Sequence, residues 1–193
     1  MCTGKCAFCV GTSLYPLAVI SIICNIILFF PGWDVKYSQN GQLTEEVKYM
    51  GGLVGGGVMS NCISPFLLIR CICLCCINQI ILIKYFLFQM FLSILFAAVG
   101  VVGALYSFIV ALMGLINGPY CLSSFSWTTP FKDRNESYLK DRDSWKDCTE
   151  PKNVVEFNVG LFSTLLVTSA VQLVLCAVQM INGLFGCLCG TCK

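Results

Sequence analysis

No histidine occurs anywhere in the 193 residues. That removes the imidazole most often used as a general base, a neutral metal ligand or a proton switch near neutral pH. Charge is scarce as well. Asp, Glu, Lys and Arg make up 11% of the chain, against about a quarter in a soluble domain. The charge present avoids the long apolar runs, so no carboxylate or amine is available inside them to couple an ion gradient or relay protons. The chain also lacks a G-x-S-x-G elbow and a phosphate-binding loop, so acyl and phosphoryl transfer have no recognisable machinery. These absences point away from an enzyme, imply no cofactor and no metal, and leave nucleic acid without a basic surface to bind.

What is present is apolar. Hydrophobic residues account for 57% of the chain, with 17 glycines and 15 cysteines, which places it in the membrane class. Four spans fit, at about residues 10–30, 49–69, 87–113 and 160–182. The first is too long for the core of a signal peptide and lacks a small-residue cleavage pattern, so it reads as a retained span. The second opens with MGGLVGGGVMS, in which Gly51/Gly55 and Gly52/Gly56 each form a G-x-x-x-G pair that admits a neighbouring backbone. In the third, Ala97, Gly100, Ala104, Ser107, Ala111 and Gly114 recur at alternating spacings of three and four, a seam of small residues along one helix face. A row at the same spacing, Ser163, Val167, Ala170, Val174 and Ala177, suggests a second seam on the last span. The apolar runs contain Asn25, Asn61, Gln89, Gln172, Gln179 and Asn182, whose expected role is interhelical hydrogen bonding.

All ten acids lie in segments 31–48 and 117–157, where eight basic residues leave a balance of −2. Elsewhere the only charges are Lys5, Arg70, Lys84 and Lys193. The positive-inside rule therefore puts both termini and the 70–84 loop in the cytoplasm, and segments 31–48 and 117–157 outside. The sequon Asn135-Glu136-Ser137 falls on the outer side, where N-glycosylation takes place. Splitting residues 71–116 into two spans would move that sequon inside and leave Cys121 without an oxidising environment.

This sidedness sorts the cysteines. Cys121 and Cys148 alone lie outside the membrane on the oxidising face. A bridge between them closes a loop of about 28 residues, an effect of about 3–4 kcal/mol by the chain-entropy estimate. Aromatic residues in the same lobe, Phe125, Trp127, Phe131, Tyr138 and Trp145, are expected to pack inside it or at the interface, with a recognition face as the rival reading. Cys2, Cys6, Cys9, Cys71, Cys73, Cys75, Cys76, Cys187, Cys189 and Cys192 gather at the cytoplasmic face beside basic residues, as S-acylation sites do. Two of the CxxC pairs Cys6/Cys9, Cys73/Cys76 and Cys189/Cys192 could instead supply four thiolates to zinc. The residue-level reading is thus an all-α membrane protein: a four-helix transmembrane bundle with a small disulfide-stapled extracellular lobe between spans 3 and 4.

Several stretches, taken together and in order, resemble the L-six antigen family of four-span, tetraspanin-like proteins in the transmembrane 4 superfamily. They are MCTGKCAFCVG at the amino terminus, GGLVGGGVM, NGPYCL, and WKDCTEPKNVVEFNVGLFS leading into the last span. The resemblance implies cytoplasmic termini, plasma-membrane residence, N-glycosylation and palmitoylation. It also implies complexes with integrins, tetraspanins and receptors that influence proliferation and motility, without enzymatic activity. Two features depart from the family pattern. A second sequon usual at the start of the last span is lost at Asn158-Val159-Gly160, and residues 60–84 keep cysteine but lack glycine. The expected function is that of a membrane organiser or adaptor whose partners are lipids, other membrane proteins or a second copy of the chain. The alternative is a small-molecule or lipid-binding sensor or transporter subunit, with an intramembrane pocket near Gln89, Gln172 and Asn25.

Overall fold

The computed structural model describes residues 2–34, 36–39, 43–59, 82–123, 126–132, 139, 143–151 and 153–188. Its main elements are three long helices: α1 (Cys2–Leu28), α5 (Leu82–Asn117) and α6 (Val154–Leu188). Each contains a run long and apolar enough to cross a membrane: Cys9–Leu28, Ile94–Asn117 and Val154–Phe185. The helices outlast the spans expected from hydropathy. At 1.5 Å per residue α5 is about 54 Å long, well beyond the roughly 30 Å of hydrocarbon. Once a helix is nucleated each added residue gains a bond, so the ladder continues past the apolar run until a breaker intervenes. On α5 that breaker is Gly118, which adopts a left-handed φ of 73° directly after Asn117.

The expected second span falls partly outside the described residues, which end at Met59 and resume at Leu82. Its beginning is described as α4 (Gly52–Met59), wound as a π-helix. Two single turns in the first polar segment, α2 (Lys36–Gln39) and α3 (Glu45–Lys48), precede it. Glycine lets α4 touch three helices at once. A Cβ on Gly52 would sit 2.9 Å from the Ser21 carbonyl oxygen on α1 and 2.7 Å from Leu165 Cδ2 on α6. On the α5 side, a Cβ at Gly103 would come within 2.9 Å of the Gly55 carbonyl oxygen. Gly51, Gly52, Gly55 and Gly56 are all buried.

The six small residues of α5, Ala97, Gly100, Ala104, Ser107, Ala111 and Gly114, are buried as well. The row expected on the last span is not. Val167 and Val174 are 63% and 61% exposed, among the most open positions of α6. The buried face of α6 is instead Asn158, Phe162, Leu165, Ser169, Gln172, Cys176 and Gln179. Both rows have the same alternating spacing, so periodicity alone could not choose between them. Packing does: the small side chains of α5 leave room for large ones, and the Phe162 ring occupies the space at Gly114, where a Cβ would lie 2.6 Å from its Cε1.

The lobe between α5 and α6 amends the all-helical expectation. Strands β1 (Cys121–Ser123) and β2 (Ser126–Thr128) pair antiparallel, with Leu122 opposite Trp127. Residues 149 and 150 add a third edge. The Leu122 amide donates to the Glu150 carbonyl at 3.0 Å, and the Thr149 amide donates to the Leu122 carbonyl at 3.0 Å. Three-residue strands are too short to produce a period-two signal in the sequence, so this hairpin could not be read from pattern. Cys121 and Cys148 are disulfide-bonded, with Cα atoms 5.5 Å apart. The lobe core joins this bridge to Phe131, Val154 and Val155, with Trp145 and Val159 against it. Of the five lobe aromatics, Phe131 is buried and Trp127 and Trp145 are half-buried, whereas Phe125 and Tyr138 lie outside the described residues.

Candidate functional site

The first polar segment does not hang free. Leu43 and Val47 are buried against Cys24, Leu28, Ala111, Leu115, Phe162 and Leu165, closing the lobe end of the bundle like a plug. Polar contacts tie it there. Thr44 Oγ1 accepts from Asn158 Nδ2 and from the Tyr120 amide, each at 3.4 Å. Asn117 Nδ2 donates to Glu46 Oε1. Tyr37 packs on Trp127 with ring centroids 6.0 Å apart, and Trp127 stacks on Tyr120 at 5.9 Å. The Tyr120 hydroxyl donates to the Trp127 carbonyl at 3.1 Å. Lobe and first segment thus form one polar surface capping the ends of α5 and α6. Burial pushes the Tyr37 phenol above its ordinary pKa, and the carboxylates of Glu150 and Asp34 add to that effect.

Beneath the cap runs a polar seam inside the bundle. Ser21 Oγ donates to the Leu17 carbonyl at 3.0 Å and lies 3.3 Å from Thr168 Oγ1, joining α1 to α6. Gln172 Nε2 donates to the Gly56 carbonyl at 3.0 Å, joining α6 to α4. Ser169 Oγ turns back on the Leu165 carbonyl at 2.7 Å. Among the described residues, five buried oxygens have no hydrogen-bond partner: Asn25 Oδ1, Ser107 Oγ, Asn158 Oδ1, Gln172 Oε1 and Gln179 Oε1. The buried polar side chains among the described residues are Ser, Thr, Asn and Gln. Such groups donate and accept hydrogen bonds but titrate nowhere near neutral pH. Asn182 is half-buried, while Asn61 and the Gln89 side chain are not among the described parts.

Other residues singled out in the sequence are placed unevenly. Cys9 is free and exposed, and Cys24 and Cys176 are free and buried within the spans. Cys2, Cys6 and Cys187 belong to the ends of α1 and α6, where only their backbone is described. Cys62, Cys71, Cys73, Cys75, Cys76, Cys189 and Cys192 lie outside the described residues, as does Asn135. Sequence reasoning passed over Leu43, Thr44 and Val47, which the structure puts at the centre of the cap. The available signal was two apolar residues four apart around Thr44, one turn of an amphipathic helix in an otherwise polar stretch.

Membership follows from the whole chain. The family described as L6 membrane protein matches residues 1–193. The chain belongs to the L6 membrane protein family. Among its relatives, Transmembrane 4 L6 family member 4 of Rattus norvegicus is 46% identical over 199 residues, covering 100% of this chain and 95% of the relative. Member 1 of Homo sapiens is 40% identical over 197 residues, and member 5 of Homo sapiens 38% over 193, each covering 100% of this chain and 96% of the relative. No solved structure matches the chain. With three helices of membrane-crossing length, this L6 protein is a multi-pass membrane protein. Its relatives bear the names of a membrane family, and lipids and other membrane proteins are its natural surroundings.

Proposed function

We propose that this L6 family member is a non-enzymatic organiser or adaptor, which assembles with integrin, tetraspanin or receptor complexes and influences proliferation or motility signalling. The observation that carries the reading is the separation of its polarity. Inside the bundle the described polar groups are neutral amides and hydroxyls, and the described acids belong to the lobe and the segment packed under it. Such a bundle offers, among the described residues, no acid–base pair in its interior, and leaves the charged lobe and segment as a surface that can hold partners. Family resemblance supplies the class of partner.

In this reading the termini and the 70–84 loop are cytoplasmic, segments 31–48 and 117–157 face outward at the plasma membrane, and residues 60–69 complete a second of four spans. Asn135 carries a glycan, and the ten cysteines from Cys2 to Cys192 at the inner face are acylation sites. Proximity labelling in native membranes should enrich integrins, tetraspanins or receptors over a generic multi-pass control; neighbours indistinguishable from the control's would sink the adaptor role. Glycosidase digestion should raise gel mobility in the wild type and not in Asn135→Gln. The intramembrane-pocket alternative has the unpartnered oxygens of Asn25, Gln172 and Gln179 in its favour. Against it, α4 packs so closely at Gly52 and Gly56 that an added Cβ would lie 3.1 Å from Asn25 Cβ and 3.2 Å from Gln172 Oε1.

A further inference from the structure

At the root of the lobe lies a groove of about 380 Å³, whose walls include Trp145, Lys146, Cys148, Thr149, Val155 and Glu156. Its walls are set by the fold. Cys148 is held by the disulfide, Thr149 binds the Leu122 carbonyl through both its amide and its hydroxyl, at 3.0 and 2.9 Å, and Val155 is buried in the lobe core. A site preformed in this way spends little binding energy on ordering itself. The volume falls in the range of small-ligand sites, about 300–1,000 Å³.

Two further observations say what fits. The first is depth. Glu156 is the last charged residue before an uncharged run that lasts until Lys193, and it lies in the first turn of α6, where the membrane-length apolar stretch begins. The groove therefore stands at the level of lipid head groups. Its charge content suits that level: Lys146 and Glu156 are both exposed, and the Trp145 ring is half-exposed. An ammonium side chain attracts phosphate, while a carboxylate and an indole face attract a quaternary or primary ammonium.

The second observation lies one turn deeper. Gly160 is exposed, and a Cβ built on it would find nothing within 4 Å, so the helix presents open space there. Residues three or four apart share a helix face, so this open face runs downward from Glu156 to Thr164, Val167 and Val171, all exposed. The Thr164 hydroxyl donates to the Gly160 carbonyl at 2.9 Å, so its polar hydrogen is satisfied within the helix. A polar groove thus opens onto an apolar track running into the hydrocarbon, an arrangement suited to a lipid and not to a free zwitterion.

We propose that this groove seats the zwitterionic head group of a phospholipid from the adjoining leaflet, with phosphate at Lys146, ammonium at Glu156 and Trp145, and an acyl chain along the Gly160 face of α6. The test uses the purified full-length protein in bilayer nanodiscs containing phosphatidylcholine with a photoactivatable group near the head, and maps adducts by peptide mass spectrometry. Adducts should concentrate on residues 145–164. They should fall about tenfold in the double variant Lys146→Ala, Glu156→Gln, as expected for losing charge-assisted contacts, while labelling of α1 and α5 stays constant. Gly160→Leu, which keeps both charges and places a bulky side chain on that open face, should lower the same adducts. A non-reducing gel confirms that the disulfide is intact in each variant. Even labelling around the bundle, or equal labelling in the double variant, overturns the site. Complete displacement by excess soluble phosphocholine overturns the lipid in favour of a free zwitterion. Because no partner protein is present, a negative result leaves the adaptor reading untouched.

Discussion

Gly52→Ala and Gly160→Ala add the same methyl group at two glycines of this protein, and the structure assigns them opposite outcomes. At Gly52 the new carbon would lie 2.7 Å from Leu165 Cδ2, 2.9 Å from the Ser21 carbonyl oxygen and 3.1 Å from Asn25 Cβ. The leucine methyl can swing away. The Ser21 carbonyl belongs to the α1 backbone and can retreat only if α1 and α4 separate. Overpacking of this kind costs about 1–3 kcal/mol. In a protein of this size each kcal/mol moves the melting temperature by about 2–4 °C, so Gly52→Ala should lower it by about 2–12 °C. At Gly160 the methyl meets nothing, and replacing glycine by alanine in an exposed helix position gains up to about 1 kcal/mol. That variant should melt at the wild-type temperature or a few degrees above. Heating detergent-solubilised protein and following the monodisperse fraction by size-exclusion chromatography gives both values in one series. Equal shifts in the two variants would refute the claim that α4 is pressed against α1 and α6 by missing side chains.

Further outcomes follow from other parts of the structure. Replacing Cys121 and Cys148 together by serine should destabilise the lobe by about 3–4 kcal/mol, read as faster proteolysis within residues 121–150 while the helical spans stay resistant. Gln172→Leu removes one hydrogen bond, to Gly56, together with one unpartnered oxygen. In a membrane interior such a bond contributes about 0.6–1 kcal/mol, so the variant should stay within about 1 kcal/mol of wild type, and a loss of several would show that the amide does more. On α6, Val174→Phe should leave the melting temperature unchanged, whereas Ser169→Phe should lower it sharply; the reverse order would restore the small-residue face to the packed side. The Tyr37 phenol is shifted upward in the folded protein. Its contribution is therefore complete below the ordinary tyrosine pKa of about 10 and is lost as pH rises through the folded value. Ultraviolet titration should show a late-ionising tyrosine that disappears in Tyr37→Phe.

How much of this was legible in the sequence depended on the range of the interaction concerned. The helical spans are local facts of composition: α5 and α6 contain the expected apolar runs and extend past both ends, while α1 starts earlier than expected and stops at Leu28, two residues short of the expected end. Cys121 and Cys148 could be separated from thirteen other thiols because charge asymmetry alone sorts the loops. On α5 one row of small residues has no rival, so spacing points to a single face. On α6 two rows share the same period, and only the shape of the neighbouring helix decides which is buried. The π-winding of α4 was hidden for a related reason. Its glycines announce a close approach but do not dictate the hydrogen-bond ladder that achieves it. The plug formed by Leu43, Thr44 and Val47 depends on Cys24, Ala111 and Phe162, contributed by three other helices, and no local pattern encodes that meeting.

The amide of Asn158 carries a consequence for carbohydrate chemistry. Its side-chain nitrogen, the atom to which a glycan would be joined, is buried and donates to Thr44. A sugar at that nitrogen and the closed end of the bundle exclude one another. With Gly160 in place of a hydroxyl residue, position 158 is withheld from the glycosylation machinery before folding begins. The same nitrogen is then available as an internal latch between the first polar segment and the last helix.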